Sequence, residues 1–190
     1  MKASLLTRSV FLSLILLPLA HADDISSSIE EGLAAYNKHD LKAAKQALDY
    51  ASQLIAQQSA TALSGLMPEP LAEWTAEEAS TEGTSAMGLL GGGIQVSRTY
   101  TNSAGNTVEM QITADSPLLA QWMPMLANPA MAATMGKVTK IGKTLVLQGN
   151  DEQLTMIVAN RFMVTVNGSA TMDEKMTYAK ALDQGKLEAL

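Results

Sequence analysis

The chain contains few residues that could form a nucleophilic or metal-binding site. It has two histidines and no cysteine in 190 residues. His39 is the only histidine beyond the apolar N-terminal segment, and the chain lacks a Gly-x-Ser-x-Gly nucleophile motif. Structural zinc sites use His and Cys, while calcium loops need spaced acidic oxygens, and neither ligand pattern is present. We therefore predict no catalytic residues, no metal site and no cofactor, and we expect the protein not to be an enzyme.

Acidic residues and glycines do not form a recognisable site either. Glu73, Glu77, Glu78 and Glu82 could in principle pair for sugar hydrolysis, but aromatic residues make up only 4% of the chain. The glycine-rich segment 88–93 lacks the lysine and Ser/Thr of a phosphate-binding loop. We interpret the glutamates as solvated charge and the glycines as a flexible loop.

Methionine is the one residue type that suggests a different chemistry. The chain has 12 methionines, and Met123, Met125, Met131 and Met135 follow one another closely. Thioethers are soft ligands that suit Cu(I), but methionine also fills cores and adaptable contact surfaces. Methionine-based Cu(I) binding or buffering in the periplasm is therefore the alternative function that the sequence leaves open.

The segment from Leu118 to Met135 contains more apolar residues than one packed helix face needs. A helix that packs on a sheet requires an apolar stripe about 100° wide, and this segment exceeds it. Either the glycine-rich loop 88–93 covers the surplus, or the surplus forms an exposed contact surface. On the second view, the predicted binding surface comprises Leu89, Leu90, Trp122, Met123 and Met125.

Residues 1–22 have the pattern of a secretory signal peptide. Lys2 and Arg8 precede an apolar run that extends to Leu19, and the small-x-small sequence 20–22 follows it. The run is too short for a membrane-spanning helix, so we predict no transmembrane anchor. We expect cleavage near Ala22 and a soluble periplasmic or secreted protein.

The charge of the chain limits its partners. The formal net charge is −6, and signal-peptide cleavage would make the chain more negative by removing Lys2 and Arg8. The sequence has no basic stripe, so nucleic acid is not an expected partner. We predict that the protein binds an envelope protein or an apolar ligand, with its oligomeric state left open.

Residues 23–66 are predicted to form a helical hairpin. Ile25, Ile29, Leu33 and Tyr36 recur at helical spacing, and Asp40 can cap a second helix. The hairpin resembles a tetratricopeptide repeat through residues at the motif's small and large positions: Gly32, Leu41, Ala44, Leu48 and Ala51. The resemblance implies two closely packed helices but not the peptide groove of a longer array.

Residues 74–190 are predicted to form an α+β domain after a proline-containing linker at 67–73. Alternating residues indicate antiparallel hairpins at 94–114, 138–147 and 154–166, with helices at 118–126 and 171–182. This fold class is an N-terminal helical hairpin followed by an antiparallel β-sheet domain with packed helices.

The order of these elements resembles two groups of known proteins. The stretch from Leu66 to Trp74 is similar to the start of the second domain in bacterial exported proteins that pair a helical hairpin with a small α+β domain. The element order of the second domain is also similar to PsbP/Mog1-type sandwiches. Such a resemblance implies a fold and does not by itself imply a function.

Overall fold

The structure is a computed structural model that describes residues 20–82, 92–117 and 119–190. It confirms the α+β class. Its contacts divide the chain into two compact units, and the boundary along the sequence falls between Ala51 and Ser52. None of the helices in these ranges is long and apolar enough to cross a bilayer. The helices are α1 (Ala20–Asn37), α2 (Leu41–Ser64), α3 (Leu119–Ala127), α4 (Pro129–Met135), α5 (Met172–Ala181) and α6 (Gln184–Glu188). The strands are β1 (Trp74–Ala76), β2 (Ile94–Asn102), β3 (Thr107–Ala114), β4 (Gly136–Ile141), β5 (Thr144–Gly149), β6 (Leu154–Val158) and β7 (Phe162–Asn167).

In the first unit, α1 and the start of α2 pack through small side chains. A Cβ added to Gly32 would lie 2.9 Å from Leu48 Cγ, which shows how closely the two helices approach. Larger apolar residues of α1 stay exposed: Leu33 is 59% and Tyr36 is 61% exposed. The apolar face predicted for α1 is thus not the packed one, because small residues allow the closer approach. The buried residues described in this unit are Ser28, Gly32, Ala44, Ala47 and Ala51.

The second unit contains one seven-stranded antiparallel sheet in the order β1-β2-β3-β7-β6-β5-β4. Its core face carries residues such as Val96, Met110 and Val164, all fully buried. Helices α5 and α6 and the second half of α2 cover this core face. On the opposite face, α4 packs Ala132 against Leu147 of β5. The sheet therefore lies between two layers of helix.

The predicted linker at 67–73 is bound to the core face of the sheet. The buried hydroxyl of Tyr100 donates a 2.8 Å hydrogen bond to the Pro68 carbonyl, and the Leu71 amide donates to the Tyr178 hydroxyl at 3.2 Å. Burial raises the pKa of both tyrosines, so both hydroxyls stay protonated over the physiological range. These bonds fix the segment within the second compact unit.

Several local features differ from the sequence-based expectation. Residues 74–76 form a strand that the sequence does not predict, because three residues are too few to show an alternating pattern. Pro124 lies inside α3, which ends at Ala127, one residue beyond the helix predicted at 118–126. Helix α5 ends at Ala181, one residue before the predicted end at 182, and the sequence does not predict the short helix α6 that follows it. The spacing within 154–166 predicts a two-residue turn at Asn160 and Arg161, but the β6–β7 turn spans residues 159–161, and Ala159 and Asn160 have φ of +52° and +55°.

The predicted start of α5 is confirmed in detail. The Thr171 hydroxyl accepts from the Glu174 amide, and the Glu174 carboxylate accepts from the Thr171 amide at 2.8 Å. This reciprocal pair is a capping box, which satisfies amides that the first helical turn leaves unpaired. Residues 171 and 174 therefore set where α5 begins.

Candidate functional site

A cleft of about 370 Å³ opens on the helix-covered face of the sheet that carries α3 and α4. Its floor is a row of adjacent side chains across three strands, since Leu147 pairs with Thr155 and Thr155 pairs with Thr165. Trp122 of α3 and Met135 of α4 form one wall. The rim is the β5–β6 turn, which contributes Gly149, Asn150, Asp151 and Gln153.

The floor exists because the strands beneath it carry apolar residues on both faces. In β5, Val146 is fully buried in the core while its neighbour Leu147, 4% exposed, faces the cleft. In β7, Phe162 belongs to the core while Met163 lines the cleft. A sheet with one solvent-exposed face would place polar residues at the positions of Leu147 and Met163.

Local sequence positions the wall of the cleft. The Asn128 side chain caps α4 by accepting from the Ala130 amide at 3.0 Å, and Pro129 occupies the first helical position. Ala132, 1% exposed, then seats α4 on Leu147. These contacts direct Met135 toward the cleft, where it meets the same floor.

Two threonine hydroxyls form the polar part of the floor. Thr155 and Thr165 are directly paired in the sheet and only 9% and 8% exposed. Within the described part of the chain, no hydrogen bond joins either hydroxyl to another protein group, and no buried side-chain polar atom lacks a partner, so both hydroxyls are open to solvent in the cleft. A hydroxyl both donates and accepts, so the pair can bind a polar atom that enters the cleft.

The rim turn is held in place from α5. Lys175, 2% exposed, donates from Nζ to the Glu152 carbonyl at 3.0 Å. Within the turn, the Gly149 amide donates to the Gln153 carbonyl at 2.8 Å. Glu152 itself has φ of +61°, a conformation that costs energy for a non-glycine residue and needs such support. Lys175 is therefore a positioning residue for the rim.

Charged groups are scarce around the cleft. Among the described residues that line it, Asp151 is the only one with an ionisable side chain, and it is exposed. General acid–base chemistry relies on ionisable groups whose environment shifts their pKa. The lining that the structure describes offers instead apolar contact, two hydroxyls and two amide side chains.

The predicted binding residues are only partly brought to this cleft. Trp122 lines it, whereas Met123 and Met125 are half-buried on α3 and are not among the lining residues. Leu89 and Leu90 lie outside the described residues. The five-residue surface thus stays a prediction.

Sequence reasoning missed the residues of the cleft floor. The signal available was the run of apolar residues at successive positions in 145–147 and 162–164, which indicates strands buried on both faces. Which of those positions would lie open beside α3 and α4 depends on how the helices cover the sheet. The missed residues are Leu147, Thr155, Met163 and Thr165.

The described residues contain no group of three or more His, Cys, Asp or Glu side chains that could hold a metal ion. Comparison with known protein families, curated proteins and solved structures finds no match to this chain.

Proposed function

We propose that this chain is an exported, non-enzymatic protein that binds a small apolar molecule in the cleft beside α3 and α4. The observation that carries the proposal is the lining itself, in which Trp122, Met135, Leu147 and Met163 surround two hydroxyls. Binding sites for small molecules are typically concave, mainly apolar, and supplied with a few polar groups that fix orientation. The cleft has this composition.

The size of the cleft limits the ligand. Pockets that bind small molecules typically measure about 300–1,000 Å³. At about 370 Å³ the cleft lies near the lower end of this range, which favours a small ligand. A ten-carbon chain with a small polar end is a suitable probe.

Decanol binding to the mature protein, measured by isothermal titration calorimetry, tests the proposal. We expect saturable binding at one site, and loss of that binding in Met163→Lys, which places a charge in the apolar floor. Met131→Lys is the matched control, because Met131 lies on α4, is 47% exposed and does not line the cleft. The proposal fails if decanol does not bind, or if both variants bind it equally well.

Export is the second part of the proposal, and the sequence of residues 1–22 supports it. Protein recovered from the periplasm or medium should begin at Asp23. Recovery of soluble cytoplasmic protein that retains Met1 would contradict export. The function in the cleft does not depend on this result.

Cu(I) binding remains the alternative, because two thioethers, Met135 and Met163, line the same cleft. Met163→Leu distinguishes the two functions, since leucine keeps the volume and apolar character but removes the sulfur. An apolar site should retain decanol binding in this variant. A Cu(I) site should lose stoichiometric Cu(I) binding.

An envelope-protein partner is a further prediction that a surface residue supports. Trp122 is 38% exposed, and exposed tryptophan and methionine often anchor protein contacts. Capture of one defined envelope protein that is lost in Trp122→Ser would favour this function.

A further inference from the structure

We infer that the ligand of the cleft is a neutral single-chain amphiphile whose polar end is an uncharged hydrogen-bonding group, such as an alcohol. This inference rests on the proposed function and adds the chemical class of the ligand. It follows from two features of the lining, namely its charge and its paired hydroxyls.

The charge of the lining opposes an anionic ligand. Asp151, on the rim, is the only ionisable side chain among the described lining residues, and none of those residues is a lysine, arginine or histidine. A carboxylate or phosphate that entered the cleft would lose hydration without gaining a counter-charge. The nearby Asp151 carboxylate would also repel it. Fatty acids and phospholipid head groups are therefore poor ligands.

A cationic end group is also disfavoured in the deep part of the cleft. Among the described lining residues, the only negatively charged group is Asp151, which is exposed at the rim, where solvent weakens a charge–charge interaction. An ammonium placed at Thr155 and Thr165 would be desolvated with only hydroxyl partners. We expect amines to bind more weakly than alcohols but better than carboxylates.

The paired hydroxyls favour an uncharged polar end. Thr155 and Thr165 are only 9% and 8% exposed as residues, and no hydrogen bond from either hydroxyl to a protein group is found in the described part of the chain. Because no buried side-chain polar atom there lacks a partner, both hydroxyls are accessible from the cleft, where a ligand hydroxyl can donate to one threonine while it accepts from the other. The alkyl chain would then lie against Leu147, Met135 and Trp122.

Three probes with the same ten-carbon chain test the inference: decanol, decylamine and decanoate at neutral pH, each titrated into the full mature protein. We expect decanol to bind most tightly, and we expect decanoate to have a Kd at least about tenfold higher than that of decanol. This ranking needs only the unaltered protein. Asp151→Asn should strengthen decanoate binding about twofold and leave decanol binding unchanged, because removing an exposed charge relieves only a screened repulsion.

Substitution of a floor threonine tests the role of the hydroxyls. Thr165→Val keeps the side-chain shape but removes the hydroxyl, and we expect decanol to bind about fivefold more weakly. Thr165→Ser keeps the hydroxyl and should bind decanol nearly as the parent protein does. Thr99→Val is the matched control, because Thr99 lies on the same face of the sheet but outside the cleft.

The outcomes separate this inference from the proposed function. If none of the three probes binds the unaltered protein, the proposed function fails and the inference fails with it. If decanoate binds as tightly as decanol, the cleft still binds amphiphiles but the inference about a neutral ligand is overturned. If Thr165→Val binds decanol as tightly as the parent, the threonine hydroxyls do not recognise the polar end.

Discussion

Lys175 is the only charged side chain in the described part of the chain that is buried. A hydrogen bond offsets the free-energy cost of burying its ammonium group. Burying an ammonium is unfavourable unless it is paired or hydrogen-bonded, and Lys175 Nζ has the Glu152 carbonyl at 3.0 Å. This bond joins α5 on the core face to the turn that forms the cleft rim. A single residue thus couples the core of the sheet to the candidate site.

Thr171 allows a test of the start of α5. Thr171→Ala removes the side chain that caps the helix, and we expect the free energy of unfolding to fall by about 1 kcal/mol. Thr177→Ala is the control, because the Thr177 hydroxyl donates to the Asp173 carbonyl within the same helix and caps neither helix end. Thermal melts of the two variants should separate; equal melting temperatures would show that the capping box does not stabilise α5.

The capping box also gives this contribution a pH dependence. Hydrogen bonds from Thr171 to the Glu174 carboxylate hold the pKa of that group below its ordinary value of 4.5. A lowered pKa in the folded state stabilises the protein above the ordinary pKa, and this effect disappears as pH falls through the lowered pKa. The difference in stability between Thr171→Ala and the parent should therefore shrink in acid.

At the scale of elements, the N-terminal hairpin shows that residue size decides which face packs. Ala44 and Ala51 are 5% and 2% exposed, whereas larger apolar residues on α1 stay outside the contact. Periodicity alone predicts the helices but cannot say which side of a broad apolar stripe meets the partner helix. The small residues Gly32, Ala44 and Ala51, on which the tetratricopeptide resemblance rests, do mark the packed face.

Ala44→Leu tests the close packing of the hairpin. The added side chain has no space between α1 and α2, so we expect a loss of about 1–3 kcal/mol in the stability of this unit. Ala34→Leu is the control, because Ala34 is exposed on α1 and its substitution should change stability by less than about 0.5 kcal/mol. Loss of helical circular dichroism on heating measures both. Similar melting of the two variants would contradict close packing at Ala44.

The elements that the sequence predicts well are those with a strong local signal. The hairpin at 94–114 and the capping box at 171–174 follow from alternation and from cap chemistry. Strand β1 is too short for a pattern, and its pairing with β2 depends on the anchoring of the preceding segment by Tyr100 and Tyr178. Such tertiary contacts are not encoded in local periodicity.

At the scale of the whole second unit, one sheet serves two purposes. Its core face is closed by helices and supplies the stability, while the other face is only partly covered and leaves the cleft. The sequence predicts the fold class and an apolar surplus at 118–135, and Trp122 from that surplus does line the cleft. The floor, by contrast, combines three strands whose register no single segment reveals.

The central claim is that the cleft beside Trp122 binds a small apolar molecule, and Trp122 itself can report it. The chain has two tryptophans, and Trp74 lies outside the cleft with its ring 5.2 Å from that of Tyr178. Trp74→Phe therefore leaves Trp122 as the sole tryptophan, and Trp122→Phe leaves only Trp74.

The decisive measurement is tryptophan emission of the Trp74→Phe protein during titration with decanol. We expect a saturable blue shift, because a bound alkyl chain would displace water from the Trp122 ring, and we expect no shift in Trp122→Phe. Two results would contradict the account. One is an unchanged Trp122 emission in a titration where calorimetry detects binding. The other is an emission shift in Trp122→Phe, which retains only Trp74, without a shift in Trp74→Phe.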